Sequence, residues 1–174
     1  MPAIGLRPPV FVSGSGGVEV NLPIAAAQTF VIGQIAKVVA NAVTAWAAAA
    51  DAQLVMVMQN CTGLAAGTKI RCMKVSQDTI LEMNMTNTAL AAAQIGISYG
   101  IITSSGVNVI DVATGALNTA NARVKIVEID IGQSGDPTNT FGTLADTFAR
   151  VRVSPVLDSS TGTTGVGTAI SAWF

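Results

Sequence analysis

The stretch Ile95-Gly96-Ile97-Ser98-Tyr99-Gly100-Ile101 alternates apolar residues with small or polar ones along its whole length. A period of two places successive side chains on opposite faces of a β-strand, so this stretch predicts a strand with one buried and one open face. The residues Thr103-Ser104-Ser105-Gly106 are typical of a turn. The apolar run from Val107 to Val112 therefore predicts the return strand of a β-hairpin.

The same alternation recurs earlier in the chain. Residues 81–85 alternate apolar with polar side chains, whereas residues 55–58 read Val-Met-Val-Met and are apolar on both faces. The second pattern predicts a central strand covered on both sides. Between Cys61 and Lys69, two glycines favour the loop of a further hairpin. The two cysteines, Cys61 and Cys72, are expected to be free, buried thiols in a reducing compartment. They flank this hairpin, which could bring them close together, and the sequence leaves open whether they are bonded.

Residues 123–131 carry basic side chains on one face and then acidic side chains on the other, so the apolar face switches between Ile126 and Val127. Such a switch indicates a β-bulge or a strand that passes from one sheet to another. In the last predicted strand, Arg150, Arg152 and Ser154 share one face. The following Pro155 favours a strand end or an edge.

The segment 35–50 has two interpretations. Its apolar residues fall at helical spacing and it is rich in alanine, which favours a helix. Its valines are β-branched and no capping residue directly precedes Ile35, which favours two short strands broken near Asn41. The second interpretation is the preferred one.

The N-terminal segment, residues 1–26, holds four of the six prolines, at positions 2, 8, 9 and 23, and a glycine cluster at 14–17. These residues disfavour helix and central strand, so the segment is predicted to be an extended arm, with a disordered tail as the alternative. The overall prediction is an all-β chain: a small antiparallel β-barrel or β-sandwich over residues 27–174, preceded by this arm.

The amino-acid composition excludes several classes of function. The 174 residues are 50% apolar and 11% charged, with a net charge of −1 and no histidine. Intrinsic disorder is excluded by the high apolar fraction, and neither nucleic acid nor an anionic membrane would be attracted electrostatically. The apolar run within 38–50 is too short to span a membrane, and the N-terminus lacks the apolar core of a signal peptide, so synthesis in a cytoplasm is expected. The scarcity of charge predicts a surface largely covered in an assembly.

No catalytic, cofactor-binding or metal-binding residues are predicted. A Ser–Lys pair using Lys69 or Lys74 has no supporting motif, and the glycines at 14–17 lack the context of a phosphate-binding loop. Calcium would need several converging oxygens, and near Asp136 only Asp130 and Asp146 are available. The final Trp173 and Phe174 are expected to be buried, either within the chain or against a neighbouring subunit.

The order of parts in the C-terminal half carries a resemblance. The hairpin 95–111 is followed by Asn121-Ala122-Arg123-Val124, by the turn Gly135-Asp136-Pro137-Thr138 and by the strand Ala149-Arg150-Val151-Arg152-Val153. This order resembles the small β-barrel decoration, or cement, proteins of tailed-bacteriophage heads, closely over residues 90–156 and loosely over 27–85. The proline-rich arm and the Gly/Thr-rich tail are not part of that pattern.

The resemblance implies a non-enzymatic virion protein, made in the host cytoplasm, that binds the outside of the capsid between capsomers and stabilises the head. Its implied partners are the major capsid protein and its own copies in a homodimer or homotrimer. The candidate residues for capsid or subunit contact are Arg7, Pro8, Pro9, Val10, Phe11, Trp173 and Phe174. Alternatives are another phage subunit, such as a tail-tube or capsid-associated protein, and a ligand-binding β-sandwich that would use Trp46 as an aromatic platform.

Overall fold

The computed structural model describes residues 6–46, 53–76, 78–86, 92–112, 124–129 and 149–156. The described strands are β1 (Val10–Ser13), β2 (Glu19–Pro23), β3 (Gln28–Phe30), β4 (Ile35–Val39), β5 (Ala42–Ala45), β6 (Gln53–Val57), β7 (Cys61–Leu64), β8 (Lys69–Lys74), β9 (Ile80–Asn84), β10 (Ser98–Ser104), β11 (Val107–Asp111), β12 (Val124–Glu128) and β13 (Arg150–Pro155). One short 3-10 helix, Ala92–Gln94, precedes β10. The all-β prediction is confirmed.

The strands form three antiparallel sheets. A six-stranded sheet has the order β1-β9-β13-β12-β10-β11, a five-stranded sheet has the order β2-β8-β6-β4-β5, and β3 pairs with β7. Both large sheets curl: an isolated bridge joins Met85 to Ile110 in the first, and another joins Ile24 to Val43 in the second. Among the described strands neither sheet closes into a barrel, so of the two predicted architectures the structure supports the sandwich.

The central strand of the five-stranded sheet is buried on both faces. In β6, Leu54 and Met56 enter a core shared with the six-stranded sheet, whereas Val55 and Val57 enter a second core beneath β3 and β7. Because successive side chains of β6 point to opposite faces of the sheet, this one strand contributes to two apolar cores. The predicted central position of residues 55–58 is confirmed, since β6 lies between β4 and β8.

Two polar contacts, one buried and one partly buried, join the two large sheets. The side-chain oxygen of Asn108, on β11, accepts a hydrogen bond of 2.8 Å from the backbone N–H of Ile35, on β4. The indole N–H of Trp46 donates to the carbonyl of Ile101, on β10, at 2.7 Å. Because buried polar groups need partners, these bonds fix the alignment of the sheets as well as contributing to stability. Trp46 is half-buried and packs against the core, so it does not form an open aromatic platform.

Several local predictions are confirmed. Segment 35–45 forms the hairpin β4–β5, and its two-residue loop, Ala40 and Asn41, has positive φ at both positions, as type I′ hairpin turns require. The hairpin β10–β11 turns at Ser105 and Gly106. The register of β12 against β13 shifts between Ile126 and Glu128, at the predicted bulge.

Other predictions need correction. Cys61 and Lys69 begin β7 and β8, but these strands do not pair as a hairpin, because β7 joins β3 while β8 joins β2 and β6. Residues 95 and 96, predicted as strand, form a turn before β10.

The segment predicted as an N-terminal arm adds a strand to each large sheet. β1 pairs with β9, and β2 pairs with β8. Both strands lie at sheet edges. The prolines and glycines therefore exclude the segment from central strands, but the segment still forms part of both sheets. Residues 1–5 lie outside the described residues.

None of the helices in the described part of the chain has the length and apolar character needed to span a membrane.

Candidate interaction site

A cleft of about 450 Å³ lies where the N-terminal segment crosses the edge of the six-stranded sheet. It is lined by Arg7, Pro8, Pro9, Val10, Ile32, Gly33, Glu82 and Arg150. The segment of residues 6–9, which we call the strap, forms one wall together with Val10 of β1. The turn between β3 and β4 supplies Ile32 and Gly33, while β9 and β13 supply Glu82 and Arg150.

Arg150 is the polar centre of this region and is only 1% exposed. Its Nε donates to the carboxylate of Glu82. One terminal nitrogen donates to Asn84 Oδ1 at 2.9 Å and to the carbonyl of Arg7 at 3.3 Å. The other donates to the carbonyls of Glu82 at 3.0 Å and of Pro8 at 3.3 Å. A guanidinium has five N–H donors, so every donor of this buried cation has an acceptor.

The strap is held by this arrangement. Arg7 donates its backbone N–H to Asn84 Oδ1 at 2.9 Å, and the carbonyls of Arg7 and Pro8 face the guanidinium of Arg150. Prolines lack the N–H that would otherwise need a partner, so Pro8 and Pro9 can lie against the sheet while offering only carbonyls. The N–H donors of Arg150 therefore all bind acceptors within the protein, including the strap and Glu82, and none is left to bind an anion.

The turn between β3 and β4 also packs closely against the strap. Gly33 has φ +83°, and a Cβ at this position would lie 2.8 Å from Pro8 Cβ and 2.9 Å from the carbonyl oxygen of Pro9. The turn itself is fixed by Asn60 Oδ1, which accepts the N–H of Ile32 at 2.8 Å. Glycine is required here both for the left-handed backbone and for the close approach of the strap.

At its other end, β1 runs into a tight turn at residues 14–17. Asp78 accepts hydrogen bonds from the backbone N–H and the hydroxyl of Ser15, both at 2.7 Å, and from the hydroxyl of Ser76 at 2.6 Å. The Ser76 and Ser15 hydroxyls, followed by the Ser15 N–H, lower the pKa of Asp78 to about 2. The carboxylate is fully exposed and stays ionised at neutral pH.

Two other ion pairs lie on the surface. Arg71 meets Glu19 across β8 and β2, and Arg152 meets Glu128 across β13 and β12 at 2.7 Å. Hydrogen bonding to Arg71 lowers the pKa of Glu19. Exposed pairs of this kind contribute little to stability, so they chiefly neutralise charge.

The described residues offer little for catalysis. They contain no cluster of three or more potential metal ligands, and the residues considered for calcium (130, 136 and 146) lie outside the described part of the chain. Cys61 and Cys72 are buried free thiols in the same core. Burial, with a smaller effect of nearby Cys61, raises the pKa of Cys72 to about 12, so this thiol is protonated and unreactive.

The structure brings four of the seven predicted contact residues together, since Arg7, Pro8, Pro9 and Val10 all line the cleft. Phe11 packs instead against the shared core. Trp173 and Phe174 lie outside the described residues. Sequence reasoning missed Glu82, Asn84 and Arg150, because their roles depend on contacts between residues more than 60 positions apart.

No protein-family model, curated protein or solved structure matches this chain.

Proposed function

We propose that this chain is a structural protein that binds a larger particle, namely a decoration protein on the outside of a bacteriophage capsid. The observation that carries the proposal is the exposed apolar surface at the cleft. Val10 and Ile32 are 50% and 48% exposed there, Glu82 and Arg150 neutralise each other, and Arg7 is the one charged lining residue that has no ion pair with another described residue. Exposed apolar surface of this kind is typical of sites that bind another protein.

The proposed partner is the major capsid protein, contacted where capsomers meet, with the chain present as a homodimer or homotrimer. A capsid offers many copies of one site, so a modest contact made by each subunit of an oligomer is strengthened by multivalency. Burial of apolar surface, at about 25 cal/mol per Å², would supply the affinity, because the chain has few charges to contribute.

Co-sedimentation with capsids that lack the protein tests this proposal. Ile32→Asp introduces a charge into the cleft and is expected to reduce the number of bound copies strongly. Ile95→Asp is the matched control, because Ile95 is equally exposed, at 48%, but does not line the cleft. Binding that is indifferent to Ile32→Asp, or no binding at all, would contradict the proposal.

Stabilisation of the head is tested separately. Virions without the protein should release DNA at a lower temperature than complete virions, and adding the purified protein back should restore the difference. Equal heat resistance with and without the protein would remove the stabilising role. Purified protein that polymerises into tubes would instead favour a tail-tube subunit.

A further inference from the structure

Among the described strands β1 pairs only with β9, so one side of β1 has no described partner, and the strand carries no charged residue. It is the first strand of the six-stranded sheet, with the sequence Val10-Phe11-Val12-Ser13. Val10 and Val12 are exposed, while Phe11 points to the core. Proteins usually protect such edges with charges, prolines or irregular backbone. Here two prolines precede the strand and its register shifts between Phe11 and Ser13, so only a short length is available for pairing.

The two ends of this edge carry opposite charges. At the strap end, the guanidinium of Arg7 is exposed and makes no hydrogen bond or ion pair with another described residue. At the turn end, the ionised carboxylate of Asp78 is held beside Ser15. Arg7 is held beside Asn84, the last residue of β9, whereas Asp78 precedes the first residue of β9, so the two charges lie at opposite ends of the edge.

Exposed apolar side chains also lie at both ends of the β1 edge. Exposed Val31 lies near the strap, since Gly33, two residues further on, lies close to Pro8. Exposed Val18 follows the turn at the other end of the edge. Each end of the edge therefore offers one charge and an apolar surface, with the charges opposite in sign.

We propose that two copies of this chain associate along their β1 edges in antiparallel orientation, about a two-fold axis near Phe11. In this arrangement Arg7 of each copy faces the turn at residues 14–16 of the other, where Asp78 lies. Val31 of each copy approaches Val18 of the other, whereas Ile32 faces the cleft. A two-fold axis forms every contact twice, which is how isologous dimers use one self-complementary surface.

The charges favour a second copy over an unrelated partner. An antiparallel pair of identical edges is electrostatically favourable only if the two ends of the edge differ in sign, and this condition is met by Arg7 and Asp78. The inference identifies the subunit contact of the proposed decoration protein, and its biological purpose rests on that proposed function.

Sedimentation velocity of the full chain, across a wide concentration range, tests the dimer with two charge reversals. Arg7→Glu alone and Asp78→Arg alone each place like charges opposite one another, and each is expected to raise the dimer dissociation constant about tenfold or more. An equal mixture of the two variants restores both attractive pairs in a heterodimer. The mixture should therefore dimerise more tightly than either variant alone.

Two further variants test whether a lysine weakens the dimer only when it is placed on the β1 edge. Val12→Lys should weaken the dimer, whereas Ile102→Lys should not, because Ile102 has the same 39% exposure but lies on β10. Circular dichroism and thermal unfolding verify that each variant folds. If Asp78→Arg does not fold, Arg7→Glu and the lysine variants still decide the matter.

A monomer at all concentrations, a trimer, or a dimer unchanged by Arg7→Glu and Val12→Lys would overturn the inference. These results are distinguishable from failure of the proposed function. A monomer that still binds capsids removes only the dimer, and a dimer that binds no particle removes only the capsid role.

Discussion

Arg150 should be the most sensitive charged residue in the described part of the chain. Replacing it with alanine leaves the half-buried carboxylate of Glu82, the amide oxygen of Asn84 and the strap carbonyls without their donors. Removing one partner of a buried ion pair typically costs about 3–5 kcal/mol. We expect Arg150→Ala to lower the free energy of unfolding by about that amount, measured by urea denaturation.

Arg152→Ala is the control for this prediction. Arg152 lies two positions along the same strand and pairs with the exposed carboxylate of Glu128. Exposed pairs contribute about 0–1 kcal/mol, so this substitution should change stability far less. Equal losses for the two arginines would show that the strap contacts contribute nothing beyond an ordinary surface charge.

The sequence could not distinguish these two arginines. Arg150 and Arg152 alternate with buried valines, and the pattern assigns both to the open face of β13. That assignment is right for the sheet, since both lie on the face opposite Val151 and Val153. Arg150 is buried because the strap, from the other end of the chain, covers that face at its position. Alternation predicts the face of a sheet and says nothing about which segment covers it.

At the scale of elements, Gly33 connects the turn before β4 to the strap. Gly33→Ala must place a methyl group within 3 Å of both Pro8 and Pro9, in addition to a left-handed backbone that L-residues avoid. Gly67→Ala has the same backbone problem, with φ +84° against +83°, but nothing lies within 4 Å of its Cβ. Both variants should lose about 1–2 kcal/mol for backbone conformation.

The difference between the two variants isolates the contact with the strap. Overpacking adds about 1–3 kcal/mol, so Gly33→Ala should be the less stable of the pair by that amount in urea denaturation. Hydrogen exchange gives a second measurement, since the amide of Arg7 should lose protection in Gly33→Ala and keep it in Gly67→Ala. Equal stability and equal protection would mean that the strap does not depend on this turn.

The sequence predicts the strands and turns whose own residues carry a clear pattern, but it does not predict which strands pair with one another. The loop at Ala40 and Asn41, the bulge after Ile126 and the burial of β6 each follow from residues within a few positions. The pairing of β7 with β3 rather than with β8 joins segments about 30 residues apart, and no pattern within β7 itself indicates it. The cleft has the same origin, because its walls come from the strap, the β3–β4 turn and two strands far along the chain.

At the scale of the whole molecule, the two cores should unfold together. β6 contributes to both, and β1 and β2, joined by one short turn, belong to different large sheets. Neither sheet can lose its packing without exposing the other, which is the condition for a cooperative transition. Cys72 reports on the second core, whereas circular dichroism reports on all the strands.

We therefore expect the rate of Cys72 labelling by a thiol reagent, measured in the Cys61→Ala variant under native conditions, to give the same opening free energy as urea denaturation followed by circular dichroism. The native thiol is unreactive because it is buried and its pKa is raised to about 12, so labelling requires opening of the core. Labelling that proceeds at a much lower free energy would mean that the core beneath β3 and β7 opens on its own. In that case the five-stranded sheet would stay packed on one face only, and the cleft would lose the wall that the β3–β4 turn supplies while the thiol reacts.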